Sequence, residues 1–209
     1  MQITYCDIKQ VKRLAKQLES TYTTLKLGQR LDKAAAQLLG VRDYHEASRL
    51  YDKWLMLHVH LSDHADGVSK CSYCDFSFAA DLKDDRQLHR KQHDQFHEAC
   101  VSLDYLPGNF VQRERMKSDG REQATNGQTT EDRLDGLLLL LRGWFDRSLF
   151  AAIYGNYWRK HPTFDTYVAM IQDTLGNSYR DLMPTLRERY GYRTGEIEPA
   201  SSNWYPKPR

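Results

Sequence analysis

The sequence predicts a mainly α-helical protein with a helical N-terminal module, an embedded ββα-like unit and a helical C-terminal domain ending in an extended tail. Three observations carry that expectation. Apolar residues recur at three- and four-residue intervals on either side of the middle of the chain, and Gly and Pro fall where those patterns stop. Between them lies Cys71-x2-Cys74-x14-His89-x3-His93. The expected divisions are 1–64 for the helical module, 65–106 for the finger, 107–130 for a polar linker or loop and 131–209 for the C-terminal domain.

Residues 5–57 read as three helices. Ile8, Val11, Leu14 and Leu18 form one apolar stripe; Leu31, Ala35, Leu38 and Leu39 form a second, which Gly40 ends. Asp43 with Glu46 makes a capping pair for a third helix carrying Ala47, Leu50, Tyr51 and Trp54. Ala36 and Gly40 have the small-residue spacing of a helix-turn-helix, but Ala47 and Leu50 fall out of step with it, so a plain structural unit is expected. The stretch Leu14 to Tyr51, above all AAAQLLGVRDYHEA at 34–47, resembles a small bacterial helical domain labelled glyoxalase-related, met on plasmids and other mobile elements. The resemblance implies a bacterial, mobile-element origin and a helical module without an active site; it implies no glyoxalase chemistry.

The middle of the chain holds the strongest chemical pattern. Cys71 and Cys74 place two soft sulfur donors on a tight turn, and His89 and His93 lie one helical turn apart. Thiolates select zinc or iron–sulfur, and two imidazoles at i, i+4 shift the choice to Zn2+. Four protein ligands leave no open position, so such a site folds a domain and does not catalyse. Phe76 and Phe78 alternate as in a half-buried strand, while Asp84 and Asp85 suit the first turn of a helix bearing Leu82, Leu88, His89, His93 and Phe96. A piece of about thirty residues needs its metal to stay folded. His97 and Cys100 are also within reach, so the fourth ligand stays open between them and the His pair.

From Cys71 to Phe96 the chain resembles a C2H2 zinc finger, particularly the variant at the front of the cohesin acetyltransferases. There Cys-x2-Cys is followed by an aromatic or Met, and the helix reads His-x3-His-x2-Phe, as His89, His93 and Phe96 do here. The commonest form has twelve residues between Cys and His and a Leu three before the first His, where this chain has Arg86. The resemblance covers the finger alone and implies no acetyltransferase activity.

Between Pro107 and Thr130 the sequence turns polar, with Arg113, Glu114, Arg115, Lys117, Asp119, Gly120, Arg121, Asn126 and Gly127, and reads as a solvated tether. Beyond it, Leu134, Leu137, Leu138, Leu141 and Phe145 predict one helix and Phe150, Ile153, Tyr154 and Tyr157 another, broken by Pro162. Thr163 caps a helix with Tyr167, Val168, Ile171 and Leu175 before Gly176; Pro184 starts a last one with Leu186 and Tyr190 before Gly191. The tail from Tyr192 to Arg209, with Pro199, Trp204, Tyr205, Pro206 and Pro208, suits an extended segment lying on another surface.

Composition narrows the function. A net charge of +2 is too small for a protein that coats nucleic acid, although local patches remain open. The run Leu137 to Leu141 is too short to span a bilayer, and Asp7 and Lys9 near the start argue against a signal peptide. Cys6 and Cys100, left over from the metal site, do not make a disulfide framework, so a cytoplasmic location is expected. Phosphate-facing candidates are Lys83, Arg86, Arg90 and Lys91 in the finger, opposed by Asp81, Asp84, Asp85, Asp94 and Glu98. In the C-terminal domain they are Arg159 and Lys160 beside Tyr154, Tyr157 and Trp158, and Arg187, Arg189 and Arg193 beside Tyr190 and Tyr192. Aromatics at helical spacing point first to packing. A metal nuclease built from His58, His60 and His64 with Asp63 and Asp66 lacks a His-Asn-His arrangement, and no phosphate loop, dinucleotide fingerprint or Gly-x-Ser-x-Gly occurs.

The expectation is a non-catalytic, zinc-finger nucleic-acid-binding subunit of a bacterial or mobile-element nucleoprotein complex, in RNA-guided or conjugative DNA processing. DNA and RNA stay equally open as ligands, other protein subunits are expected partners, and neither a membrane nor a small-molecule substrate is expected. The alternative is a protein-interaction adaptor with a structural zinc site.

Overall fold

The computed structural model describes residues 2–60, 67–198 and 200–207. The fold is mainly α, with eight helices and one small sheet among the described residues, and the chain divides into two compact units, Met1–Glu98 and Ala99–Arg209. Pro199, Pro208, His64, Asp63 and Asp66, singled out above, lie outside the described residues.

In the first unit, α1 (Tyr5–Thr21), α2 (Leu27–Leu39) and α3 (Tyr44–Met56) pack around Ile3, Ile8, Val11, Ala15, Ala34, Ala35, Val41, Ala47, Tyr51 and Trp54. The small alanines of α2 let its neighbours approach closely, and Ala34, absent from the expected stripe, is fully buried. Leu38 departs from expectation: it is exposed. Gly40 ends α2 in the left-handed region (φ 65°), which a side chain disfavours. Asp43 caps α3 by accepting the Glu46 N–H at 2.7 Å, and the Glu46 carboxylate reaches back to the Arg42 N–H at 2.8 Å.

The sheet is antiparallel in the order β1 (Val59–His60), β2 (Val68–Cys71), β3 (Ser77–Ala79), and α4 (Lys83–Leu103) follows it. The expected ββα arrangement therefore gains a third strand, with Val59 opposite Cys71. Nor is the finger a separate domain from the helical module. Tyr73, between the two cysteines, packs on the three-helix core, and Tyr51 of α3 donates to Asp94 of α4. Residues 1–98 form one compact unit, since a piece this small buries one face on its neighbour.

The second unit corrects the linker. Residues 110–126 form α5 (Phe110–Asn126), antiparallel to the 25-residue α6 (Thr130–Tyr154). Its contact face is made of Gly120 and Ala124, with Arg113 laid over the Phe150 ring at 4.4 Å, so a polar composition conceals a packed helix. The two helices meet so closely that a Cβ on Gly120 would stand 2.4 Å from the Leu140 nitrogen, and one on Gly136 2.4 Å from the Ala124 nitrogen. α6 is also one helix, not two: Asp146 and Ser148, between the two expected apolar runs, are buried and hydrogen-bonded. A 3-10 turn (Trp158–Lys160), α7 (Phe164–Leu175) and α8 (Met183–Tyr190) complete the unit, with Thr163 capping α7 and Pro184 in the first turn of α8 as expected.

The tail lies extended on this unit. Trp204 N–H donates to Ser148 Oγ at 2.9 Å, Tyr167 O–H to the Ser202 carbonyl at 2.5 Å and Thr174 O–H to the Ser201 carbonyl at 3.0 Å. Among the described residues, no helix is long and apolar enough to cross a membrane.

Candidate metal centre

Cys71 ends β2 and Cys74 sits in the turn that leads to β3. The turn is closed by the Cys71 N–H donating to the Phe76 carbonyl at 2.9 Å, with Asp75 in the left-handed region (φ 58°). Asp75 tolerates that conformation better than most non-glycine residues, and its carboxylate meets Lys70 at 2.8 Å. Across from the turn, α4 begins with Asp84 and Asp85 in its first turn, and Asp85 accepts the Ala79 N–H at 2.9 Å. That bond fixes the helix against β3 and aims His89 and His93 at the sulfurs.

The ligand atoms of Cys71, Cys74 and His89 all lie within 4.8 Å of one another. All three residues are buried, at 0%, 0% and 1% exposure, and His93 is at 0%. His93 completes the sequence pattern: its ring stands 5.5 Å from that of His89 and at right angles to it, and both imidazoles favour the ionised form of the Cys71 thiol. His93, His97 and Cys100 all lie outside that three-residue cluster; His97 pairs its Nδ1 with the Tyr73 hydroxyl at 3.0 Å.

Two features test whether these residues fit a cation. Both nitrogens of His93 and Nε2 of His89 are buried without a hydrogen-bond partner, a state that costs about 1–3 kcal/mol for each such group. The cysteines share one proton: the Cys71 thiol is pushed well down by the hydrogen bond it receives from Cys74 and by the two imidazoles, and Cys74 is pushed up by giving that bond and by burial. A divalent cation would relieve both in part, taking one nitrogen from an imidazole as donor and displacing the last thiol proton. Two sulfurs and one imidazole converge here; with His93 as a fourth donor the set would suit a tetrahedral cation.

An aromatic shell surrounds the centre. Trp54 stands edge-on to His93 at 4.7 Å and to His97 at 4.8 Å, Tyr73 stacks on His93 at 5.0 Å, and Phe78 stacks on His89 at 4.2 Å. Tyr73 and Trp54 were not expected in this role. The signal was present for Tyr73, an aromatic between two metal-spaced cysteines, and lacking for Trp54, which only tertiary packing brings there. His58 joins the same cluster, stacked on Tyr73 at 5.2 Å, while His60 is exposed on β1.

The phosphate-facing candidates divide. Lys83, Arg86 and Arg90 line one groove of about 330 Å³ between α3 and α4, with Asp52, Met56, Phe78 and His89. Two of the three are already engaged: Arg86 donates to the Ala80 and Asp81 carbonyls at 2.8 and 2.9 Å, and Arg90 pairs with Asp52 over the Tyr51 ring. Lys83 and Lys91 are exposed. In the second unit, Arg189 forms a two-pronged pair with Glu131 at 2.9 and 2.7 Å, and Arg187 donates to Gln172 and covers Tyr192 at 4.4 Å. Arg159 covers the buried Trp158 at 4.1 Å, Lys160 is exposed, and the Arg193 N–H donates to the Ala169 carbonyl at 2.9 Å. The structure thus gathers Lys83, Arg86 and Arg90 into one groove, leaves Lys91 outside its lining, and spends several of the others on internal pairs. No family model, no curated protein and no solved structure matches this chain.

Proposed function

We propose that this chain is a non-catalytic binding subunit whose first unit is ordered by a zinc ion, and that its partner is nucleic acid within a bacterial or mobile-element nucleoprotein complex. One observation carries the reading: a fully buried Cys71, Cys74 and His89 cluster with the orphaned nitrogens of His93 beside it. Burial of every donor leaves no face for a substrate at the ion, so the metal's contribution is structural. The bound ion would hold the β2–β3 turn against α4, and through Trp54 and Tyr73 it would stiffen the helical module. The cations that line the groove beside His89 then present a rigid, modestly basic surface. The four cysteines form no disulfide among the described residues, which fits a reducing, cytoplasmic setting.

A second reading, a protein-interaction adaptor, is favoured by the pairing of Arg90 with Asp52 and of Arg189 with Glu131, which removes cations from any phosphate backbone. Salt-dependent binding to short DNA and RNA separates the two. Charge reversal belongs at Lys83 and Lys91, because reversing Arg90 or Arg189 would also break an internal pair. A nucleic-acid partner predicts affinity that falls with salt and again, roughly tenfold, in the Lys83→Glu/Lys91→Glu double variant. Binding that is undetectable, or insensitive to both, rejects the nucleic-acid reading and favours the adaptor.

A further inference from the structure

The second unit contains a cavity that neither the metal centre nor the basic groove accounts for. It lies where the end of α4, α6, the 3-10 turn and the start of α7 meet, and it measures about 320 Å³, within the range of small-molecule sites. Its walls are aromatic: Phe145, Phe164, Trp158 and His161, with Leu149 and Leu103 adding aliphatic surface. Phe145 meets Phe164 edge-on at 5.5 Å and His161 at 5.2 Å, so the rings brace one another.

Arg142 of α6 supplies the one cation in the lining. Its guanidinium carbon sits 3.5 Å from the centre of the Phe164 ring and 5.6 Å from those of Phe145 and Tyr105. This stack holds the guanidinium plane; part of its N–H edge bonds the Tyr105 side chain, and the remaining N–H groups of the five are the donors offered to a ligand. The neighbouring carboxylate is itself engaged by two other donors. Asp146 accepts the Tyr105 O–H at 2.5 Å on one oxygen and the Gly108 N–H at 2.8 Å on the other. His161 brings no second positive charge, since its Nε2 pairs with Ser148 Oγ at 2.9 Å, its Nδ1 with the Pro162 carbonyl at 3.0 Å, and burial holds it neutral with a pKa down to about 4. At the rim stands Asp104, exposed and negative, which disfavours ligands carrying several negative charges.

The geometry points to a binding site for a small planar aromatic monoanion, its carboxylate on Arg142 and its ring among Phe145, Trp158 and Phe164. A guanidinium edge recognises a carboxylate with two parallel hydrogen bonds, and the rings supply the apolar contact that sets orientation. This site stands apart from the metal reading and survives its failure.

The test uses the full chain with benzoate as probe, benzamide as its neutral counterpart and acetate as the ring-free acid, followed by calorimetry and Trp fluorescence. Benzoate is expected to bind with Kd below about 1 mM, with benzamide and acetate each at least tenfold weaker. Arg142→Gln is expected to weaken benzoate at least tenfold with little effect on benzamide, and Phe164→Leu to weaken both several-fold. The comparison of benzoate with benzamide on the unaltered chain decides the matter even where a variant fails to fold. Equal binding of the two, absence of benzoate binding, or adenosine monophosphate binding tighter than benzoate overturns the assignment.

Discussion

Residues 1–98 bury two thiols and three imidazoles at their centre, whereas residues 99–209 bury leucines, aromatic rings and the glycines of a helix hairpin. In the first unit the donors are a liability until something pairs them: orphaned imidazole nitrogens oppose folding, and a cation of the kind proposed would turn them into a source of order. In the second the order is steric and apolar, set by how closely Gly120 and Gly136 let α5 and α6 approach. Similar lengths of chain reach compactness by chemistry in one case and by shape in the other. Each therefore has its own way of failing.

Metal removal is the largest expected difference between them. Chelation, or Cys74→Ser, should unfold the finger and loosen α3, with an apparent loss on the order of 10 kcal/mol if the ion is bound as structural zinc usually is. Hydrogen exchange resolved along the chain should show protection collapsing from about Tyr44 to His97 while α5 and α6 keep theirs. Next comes Gly136→Val, which forces a side chain into the Ala124 backbone and should cost about 3 kcal/mol or more, read from denaturant melts of the second unit, with metal content unchanged. The sign is informative, because helix propensity alone would make replacement of a mid-helix glycine favourable.

Acid should also separate the units. His161 has a folded pKa near 4, lowered from 6.5 chiefly by burial. Between those values the unfolded chain takes up a proton that the folded chain refuses. Its contribution is complete above pH 6.5 and is lost progressively down to pH 4, by at most about 3 kcal/mol. His161→Gln should flatten that part of the pH–stability curve. The smallest effect concerns the α5 cap: Asn109 accepts the Gln112 N–H at 3.0 Å while the Gln112 carbonyl accepts the Asn109 N–H at 2.8 Å. Asn109→Ala should lower the stability of the second unit by about 1 kcal/mol, measured in the same melts.

That cap shows where the sequence was legible and where it was not. Asn109-x-x-Gln112 is a helix-start pattern in plain view, yet the helix behind it buries only Arg113, Gly120 and Ala124, and a hydropathy pattern cannot detect a face made of glycine, alanine and an arginine stem. The helices of 5–57, the caps at Asp43 and Thr163 and the turns at Gly40 and Gly191 followed from local chemistry, which is why they were readable. Leu38 lies one turn beyond Ala34 on the same face, near the end of α2, and is exposed there; periodicity gives the face of a helix but not how far along it the packing extends. Between Cys71 and His93, the convergence of Cys71, Cys74 and His89 was legible because ligand spacing is local; His93, expected as the fourth ligand, is buried nearby but outside that cluster. The place of Trp54 in the shell depended on contacts distant in sequence, and the internal pairing of Arg90 and Arg189 could not be seen without their partners Asp52 and Glu131 in space.

The central claim meets its most direct test in metal analysis of the purified chain by inductively coupled plasma mass spectrometry, before and after chelation, together with hydrogen exchange of residues 68–97. The account predicts one zinc ion per chain, lost together with the protection of those residues and regained with it on adding zinc back. Protection that persists in full after every trace of zinc has been removed would contradict it.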